Sequence, residues 1–123
     1  MTITEAITKT DAKKRNVISE DEKVEWLSEL DSRVFVELYE THENAPITEI
    51  PKYDSNTERE RDLIIPHPYE ALYPLWLEAK IDYAVGDTAR YLNSYAMFNS
   101  LYTEFARWYH RNHKPKGLKL KFI

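Results

Sequence analysis

A run of aromatic residues towards the C-terminus is the feature that most restricts the fold. The aromatic side chains recur there at steps of four, three, four, three and four: Tyr91, Tyr95, Phe98, Tyr102, Phe105 and Tyr109. Because an α-helix has about 3.6 residues per turn, this spacing places all six on one helix face. The pattern predicts a helix near 88–112, roughly 30 Å long or more at ~1.5 Å per residue. We expect this helix to be the spine of a small helical protein.

Two capping boxes predict two helices in the first third of the chain. Residues 2–5 read Thr-Ile-Thr-Glu, and residues 19–22 read Ser-Glu-Asp-Glu. In a capping box the first side chain accepts from a backbone N–H three residues later, and the Glu side chain returns the bond. The apolar spacing that follows each box predicts helices over 3–14 and 20–41.

Prolines and a glycine delimit a third helix over 69–84. Pro68 suits the first turn of a helix, and Gly86 suits the position just after its end. Pro74 conflicts with a regular helix here, since it removes one backbone hydrogen bond. Either the helix kinks at Pro74, or its regular part begins near Tyr73.

The rest of the chain predicts a long loop and a C-terminal arm. Segment 42–67 contains three prolines and predicts a long central loop, with short strands at 47–50 and 63–65. The arm, 114–123, ends in alternating apolar and basic residues, the period of a strand that would pair with the loop or another subunit. We predict one mainly α domain over 1–123: a small helical bundle of about four helices with a long central loop and a short C-terminal strand.

The predicted core comes from the apolar stripes of these helices. We expect nine side chains to be largely buried: Leu27, Leu30, Val34, Leu72, Trp76, Tyr95, Phe98, Tyr102 and Phe105. The chain has 3 Trp, 9 Tyr and 4 Phe. This number exceeds what the core of a small helical bundle buries, so we expect some aromatic side chains to lie in an interface.

Composition excludes several classes of function. Two glycines argue against β-rich folds with many tight turns and against glycine-rich phosphate loops. The absence of cysteine excludes disulfides, thiolate metal sites and a cysteine nucleophile. Apolar runs are only a few residues long, and the N-terminus lacks the apolar region of a signal peptide. We therefore expect no membrane contact and synthesis in the cytoplasm.

Charge is segregated along the chain. Segment 20–43 holds nine acidic residues against two basic ones, whereas no acidic residue follows Glu104. The two stretches are either solvated faces or complementary patches that meet between copies of the chain. A nucleic-acid surface fits less well, because the chain as a whole carries a net charge of −4. The candidate subunit interface consists of Glu22, Glu25, Glu29, Arg107, Arg111, Lys114, Lys116, Lys119 and Lys121.

Paired carboxylates are the first candidates for chemistry. Glu78 and Asp82 are four residues apart, a spacing that could support acid–base catalysis or cation binding. Nearby basic residues favour structural ion pairs instead. We expect Asp82 to pair with Arg90, and Asp31 with Arg33.

Two histidines are the second candidates. His110 and His113 are three residues apart and share a helix face, a spacing that is compatible with two metal ligands. No third ligand lies nearby in the sequence, and the surroundings are cationic. We expect no metal, no cofactor and no enzymatic role for His110, His113, Glu78 or Asp82.

Three stretches of sequence resemble one group of viral proteins. They are Trp-Leu-Ser-Glu-Leu-Asp at 26–31, Pro-Tyr-x-x-Leu-Tyr-x-x-Trp-Leu-x-Ala-Lys-Ile-Asp at 68–82, and Gly-Asp-x-x-Arg-Tyr at 86–91. They are similar to small proteins of tailed bacteriophages and Gram-positive prophages that accompany capsid genes, of the head–tail connector (adaptor) class. The resemblance covers roughly 2–113.

The resemblance implies a helical subunit that forms a ring between the portal and the tail or its stopper. The genome DNA would pass through this ring without specific binding. Such a subunit is made in the cytoplasm of the bacterial host and resides in the virion at the head–tail junction. The resemblance further implies that loop 42–67 contacts a neighbour or lines the channel, and that the C-terminal arm lies on a neighbouring subunit.

Two other classes of function remain open. One is a phage or bacterial adaptor that binds a host protein and is not a virion component. The other is an enzyme with a site hidden between helices. A chain that stays monomeric under all conditions would favour the first, whereas a polar pocket with perturbed carboxylates would favour the second.

Overall fold

Four α-helices account for most of residues 1–117, the part of the chain that the computed structural model describes. They are α1 (Ile3–Lys13), α2 (Glu20–Val34), α3 (Leu72–Ala84) and α4 (Thr88–Asn112). A π-helical turn, Phe35–Tyr39, continues α2. The prediction of a mainly α bundle of about four helices is confirmed.

Local capping signals place the first two helices. The Thr2 hydroxyl accepts from the backbone N–H of Glu5 at 3.1 Å, and the Glu5 carboxylate accepts from the Thr2 N–H at 3.0 Å. The Ser19 hydroxyl likewise accepts from the Glu22 N–H at 3.1 Å. Because these bonds satisfy N–H groups that have no partner within the helix, they determine where α1 and α2 begin.

The hairpin of α3 and α4 shows how Pro74 is accommodated. Helix α3 begins at Leu72, so Pro74 lies in its first turn, where the missing N–H costs little. Gly86, with φ +79°, makes the left-handed turn after α3. Asp87 then caps α4 by accepting from the backbone N–H of Arg90. The helix therefore begins in its regular form near Tyr73, the second of the two alternatives.

Helices α3 and α4 lie antiparallel and share an aromatic interface. The ring centroids of Trp76 and Phe98 are 5.0 Å apart, and those of Tyr83 and Tyr91 are 5.2 Å apart. Helices α1 and α2 also pack against α3 and against each other. Seven of the nine predicted core residues are buried: Leu27, Leu30, Val34, Leu72, Phe98, Tyr102 and Phe105.

The prediction for Tyr95 is wrong, and Trp76 is only partly buried. Tyr95 is 36% exposed although it continues the aromatic stripe of α4. The first half of α4 packs mainly against α3, whereas the second half also meets the π-helical turn, where Tyr39 stacks on Tyr109. A helix face can therefore be uniformly aromatic and still be covered over only part of its length.

The central loop packs onto the bundle without forming strands. Within residues 1–117 the only β-type pairings are two isolated bridges, so the predicted strands at 47–50 and 63–65 are wrong. The loop is instead fastened by bonds to helices and to the N-terminus. The Ser28 hydroxyl accepts from the Tyr53 N–H at 2.9 Å, and the Met1 carbonyl accepts from the Leu63 N–H at 2.9 Å.

A buried carboxylate on α2 is the main polar anchor of this loop. Asp31 has no exposed surface, and it accepts from the Tyr53 hydroxyl at 2.5 Å and from the Tyr73 hydroxyl at 2.6 Å. It also accepts from the backbone N–H of Ile64 at 3.2 Å. The predicted pair of Asp31 with Arg33 is wrong, since Arg33 pairs with Glu37 on the solvent side. Asp31 points instead into the core, where hydroxyl donors satisfy it.

Burial of Asp31 predicts an unusual dependence of stability on pH. Burial raises the pKa of the Asp31 carboxyl to about 6 from an ordinary 3.8, although the hydrogen bonds from Tyr53 and Tyr73 oppose the shift. The folded state therefore holds this proton more tightly than the unfolded chain does. Protonation stabilises the fold at low pH, and this stabilisation is lost as the pH rises through about 6.

We expect the wild type to lose about 2–3 kcal/mol relative to Asp31→Asn between about pH 4 and pH 7, because the amide does not titrate. Urea titrations of both proteins across this range measure the difference. A difference that stays flat, or that grows in favour of the wild type with rising pH, would contradict a raised pKa at Asp31.

The segment after α4 returns to the start of the central loop. The backbone N–H of Glu43 donates to the Lys114 carbonyl at 2.8 Å, and that of Lys116 donates to the Thr41 carbonyl at 2.9 Å. The loop is therefore the partner of this part of the arm. The predicted C-terminal strand lies mostly at 118–123, outside the described residues.

Candidate interaction surface

A groove lined by aromatic residues lies between α3 and α4 at their hairpin end. Its volume is about 360 Å³. Its lining consists of Trp76, Ala79, Lys80, Tyr83, Tyr91 and Tyr95, and we call it the aromatic groove. These residues recur at helical spacing on each of the two helices, so the antiparallel packing brings them to a single surface.

Fixed contacts hold the floor of the aromatic groove. The indole N–H of Trp76 donates to the Trp26 carbonyl at 2.7 Å. The Lys80 ammonium lies 4.9 Å from the centre of the Trp76 ring and 3.0 Å from a Glu29 carboxylate oxygen. The cation–π contact and the ion pair keep Lys80 at the edge of the groove.

The rim of the aromatic groove is exposed and apolar. Tyr83 in its lining is 69% exposed, and Val85 and Leu92, which neighbour Tyr83 and Tyr91 in the sequence, are 58% and 63% exposed. Exposed apolar side chains that cluster around a groove mark interaction sites more often than scattered ones do. Tyrosine and tryptophan are also enriched in protein–protein interfaces.

The predicted acidic residues lie on one face of α2, which reaches the groove through Glu29. Glu22, Glu25 and Glu29 are all exposed, and their spacing of three and four places them on one face of α2. Glu29 contacts the groove through Lys80. All three side chains are therefore accessible, and their predicted contact with a second subunit stays a prediction.

The predicted basic residues lie at the opposite end of the molecule. Arg107 and Arg111 are exposed on the last turns of α4, and Lys114 and Lys116 are exposed just after it. Among residues 1–117, no ion pair joins these bases to the three glutamates of α2. Lys119 and Lys121 lie outside the described residues. The two charged surfaces are thus separate within one subunit.

The carboxylate pair on α3 does not form a shared site. Asp82 is buried and accepts from the Lys14 ammonium and the Ser94 hydroxyl, each at 2.6 Å. The predicted pair with Arg90 is wrong, because Arg90 pairs with Asp87 at 3.4 Å. Asp82 therefore joins α1, α3 and α4, a role in the fold that sequence spacing did not indicate.

The two predicted histidines are also separate. His110 hydrogen-bonds to His42 at 2.7 Å, whereas His113 stacks on Tyr109 with ring centroids 3.8 Å apart. His42 is buried, and its second ring nitrogen hydrogen-bonds to the Leu38 carbonyl at 2.7 Å. Across residues 1–117, no group of three or more His, Asp or Glu residues is placed to hold a metal ion.

Comparisons with known protein families, curated proteins and solved structures find no match for this chain. No helix in the described part is both long and apolar enough to cross a membrane.

Proposed function

We propose that this chain is a structural subunit of a tailed-phage virion, a head–tail connector (adaptor) that forms a ring between the portal and the tail or its stopper. The observation that carries the proposal is the separation of two unlike surfaces. An acidic face with an aromatic groove lies at one end of the subunit, and a basic surface lies at the other. The resemblance of 26–31, 68–82 and 86–91 to connector proteins supports the same role.

Unlike surfaces favour a closed ring of copies. When a patch on one subunit binds a different patch on the next, the contact repeats until the ring closes. Exposed ion pairs are worth only ~0–1 kcal/mol each, so isolated subunits can remain monomeric and assemble on the portal as a template. Opposite charges then set the register of the contact, while aromatic side chains supply most of the affinity.

The other proposed properties follow from this role. The ring is made in the host cytoplasm and resides at the head–tail junction of the virion. Its net negative charge lets DNA pass without specific binding. The proposed role involves no enzymatic activity, cofactor or membrane. Loop 42–67 presents an exposed stretch around Ile50, which is 53% exposed, and we assign this stretch to contacts with neighbouring virion proteins.

Charge reversal tests the proposed contact. We expect reversal of Lys114, Lys116, Lys119 and Lys121 to glutamate to weaken assembly onto the portal by about tenfold or more at low salt. The effect should shrink at high salt, because exposed charges are screened. Binding of the variant to purified portal protein, followed by mass photometry and electron microscopy, measures the loss, and circular dichroism checks the fold.

A compensating variant and a control make this test specific. Reversing Glu22 and Glu25 to lysine in the same chain restores opposite charges across the contact, so assembly should return; Glu29 is kept because it pairs with Lys80. Reversing the exposed Lys9, Lys13 and Arg15 of the N-terminal region should have little effect. If the four-lysine variant assembles as well as the wild type at low and high salt, charge pairing is not the contact. A chain that never assembles with portal would favour the host-protein adaptor.

A further inference from the structure

The aromatic groove lacks a partner among the described residues of its own subunit. Tyr83 is 69% exposed at its rim, and Tyr95 is 36% exposed. The rings are held in place by stacking, with Tyr91 and Tyr95 centroids 5.8 Å apart. The groove is therefore a preformed surface, which lowers the entropic cost of binding an extended segment.

The charges beside the groove define the chemistry of its partner. Glu25 and Glu29 are exposed on the side of α2, and Glu22 lies one turn further towards its N-terminus. Lys80 is the basic residue of the groove, and Glu29 pairs with it at 3.0 Å, which leaves Glu22 and Glu25 as the acidic residues available to a partner. A segment that brings apolar side chains together with two or more positive charges fits this surface.

The end of this chain has that composition. Residues 117–123 read Gly-Leu-Lys-Leu-Lys-Phe-Ile, with apolar and basic residues in alternation. An extended segment of this pattern presents Leu118, Leu120 and Phe122 on one side and Lys119 and Lys121 on the other. The apolar side matches the aromatic groove, and the basic side matches the acidic face of α2.

The start of this segment is fastened near the C-terminal end of α4, whereas the groove lies near its N-terminal end. Lys116 bonds to Thr41, whose neighbour His42 contacts His110 near the C-terminal end of α4. His110 follows Tyr95 by 15 residues, roughly 22 Å along a helix. The six residues 118–123 span at most ~21 Å fully extended. Because this reach is no greater than the separation along α4, a neighbouring subunit is better placed to fill the groove.

We infer that the aromatic groove binds the C-terminal segment 117–123 of a second copy of this chain. This inference rests on the proposed ring and specifies the two surfaces that join its subunits. Each subunit donates its segment to one neighbour and receives that of the other, so the contact is head-to-tail.

Disulfide trapping tests this contact in the whole 123-residue chain, which has no cysteine of its own. One variant carries Leu120→Cys, and a second, affinity-tagged variant carries Tyr83→Cys at the exposed rim of the groove. The two variants are mixed and oxidised. In the control mixture, a tagged variant with Thr8→Cys, at an exposed position of α1, replaces the Tyr83→Cys variant. We expect about tenfold more tagged heterodimer from the Tyr83→Cys mixture than from this control. Adding Lys119→Glu and Lys121→Glu to the first variant should lower the yield.

The outcomes separate this inference from the proposed function. A chain carrying both Leu120→Cys and Tyr83→Cys should form a ladder of linked subunits, whereas an internal disulfide in a monomer would overturn the inference. Equal yields with the Tyr83 and Thr8 variants would also overturn it. If trapping fails while the wild type still assembles on portal, the ring stands and the groove is not its contact. If trapping succeeds but the wild type does not assemble on portal, the contact between the groove and the C-terminal segment is supported and the connector role is contradicted.

Discussion

Replacing Asp31 with alanine is expected to remove roughly 3–5 kcal/mol from the free energy of unfolding. The substitution leaves the hydroxyls of Tyr53 and Tyr73 and the N–H of Ile64 without their acceptor. Each buried donor that loses its partner costs about 1–3 kcal/mol. Small domains are stable by only about 5–15 kcal/mol, so this single change removes a large part of the total.

Two comparisons isolate the role of the carboxylate at this position. Asp31→Asn keeps an acceptor and nearly the same volume, so it should cost about 1 kcal/mol or less near neutral pH. Asp21→Ala removes an exposed carboxylate that pairs with Arg59 at 3.0 Å, and it should change stability by about 0.5 kcal/mol or less. Urea titrations of the three variants measure these differences. If Asp31→Ala is as stable as Asp31→Asn, the buried acceptor contributes little.

The network around Asp31 also marks the limit of prediction from sequence. Tyr53 and Tyr73 lie 22 and 42 residues from Asp31 in the chain. No local sequence pattern connects residues so far apart in the chain. The sequence therefore favoured an ion pair between Asp31 and the nearby Arg33. In the structure Asp31 points into the core instead. Its carboxylate can be buried there because the loop and α3 supply hydrogen-bond donors in place of water. The helices were predictable because capping boxes and apolar periodicity are local signals.

The sequence predicts the charged residues of the candidate surface, but it does not predict the aromatic groove. The acidic and basic stretches are visible in sequence, and exposed positions such as Glu25 and Arg111 lie where charge segregation suggested. The groove depends on how α3 and α4 pack against each other and against α2, which is a tertiary property. One signal could have indicated it: Trp76, Tyr83 and Tyr91 concentrate aromatic rings around the Gly86 turn, at the end of two helices.

The second large effect is expected at the centre of the α3–α4 interface. Phe98→Ala should cost roughly 3–5 kcal/mol of unfolding free energy, since the ring is fully buried and its removal leaves a cavity. The ring lies 5.0 Å from that of Trp76 and 5.7 Å from that of Tyr102, measured between centroids. The packed neighbours on both helices limit how far the structure can collapse into the space.

Tyr95→Ala provides the matched control, because Tyr95 is the preceding aromatic residue on the same face of α4. It is 36% exposed and its rim position leaves no enclosed cavity, so the expected cost is about 1 kcal/mol. Denaturant titrations should therefore show that Phe98→Ala loses several times more unfolding free energy than Tyr95→Ala. Equal losses would show that α4 is covered evenly along its length. In that case the aromatic groove would be part of the core, and it would not be open to a second subunit.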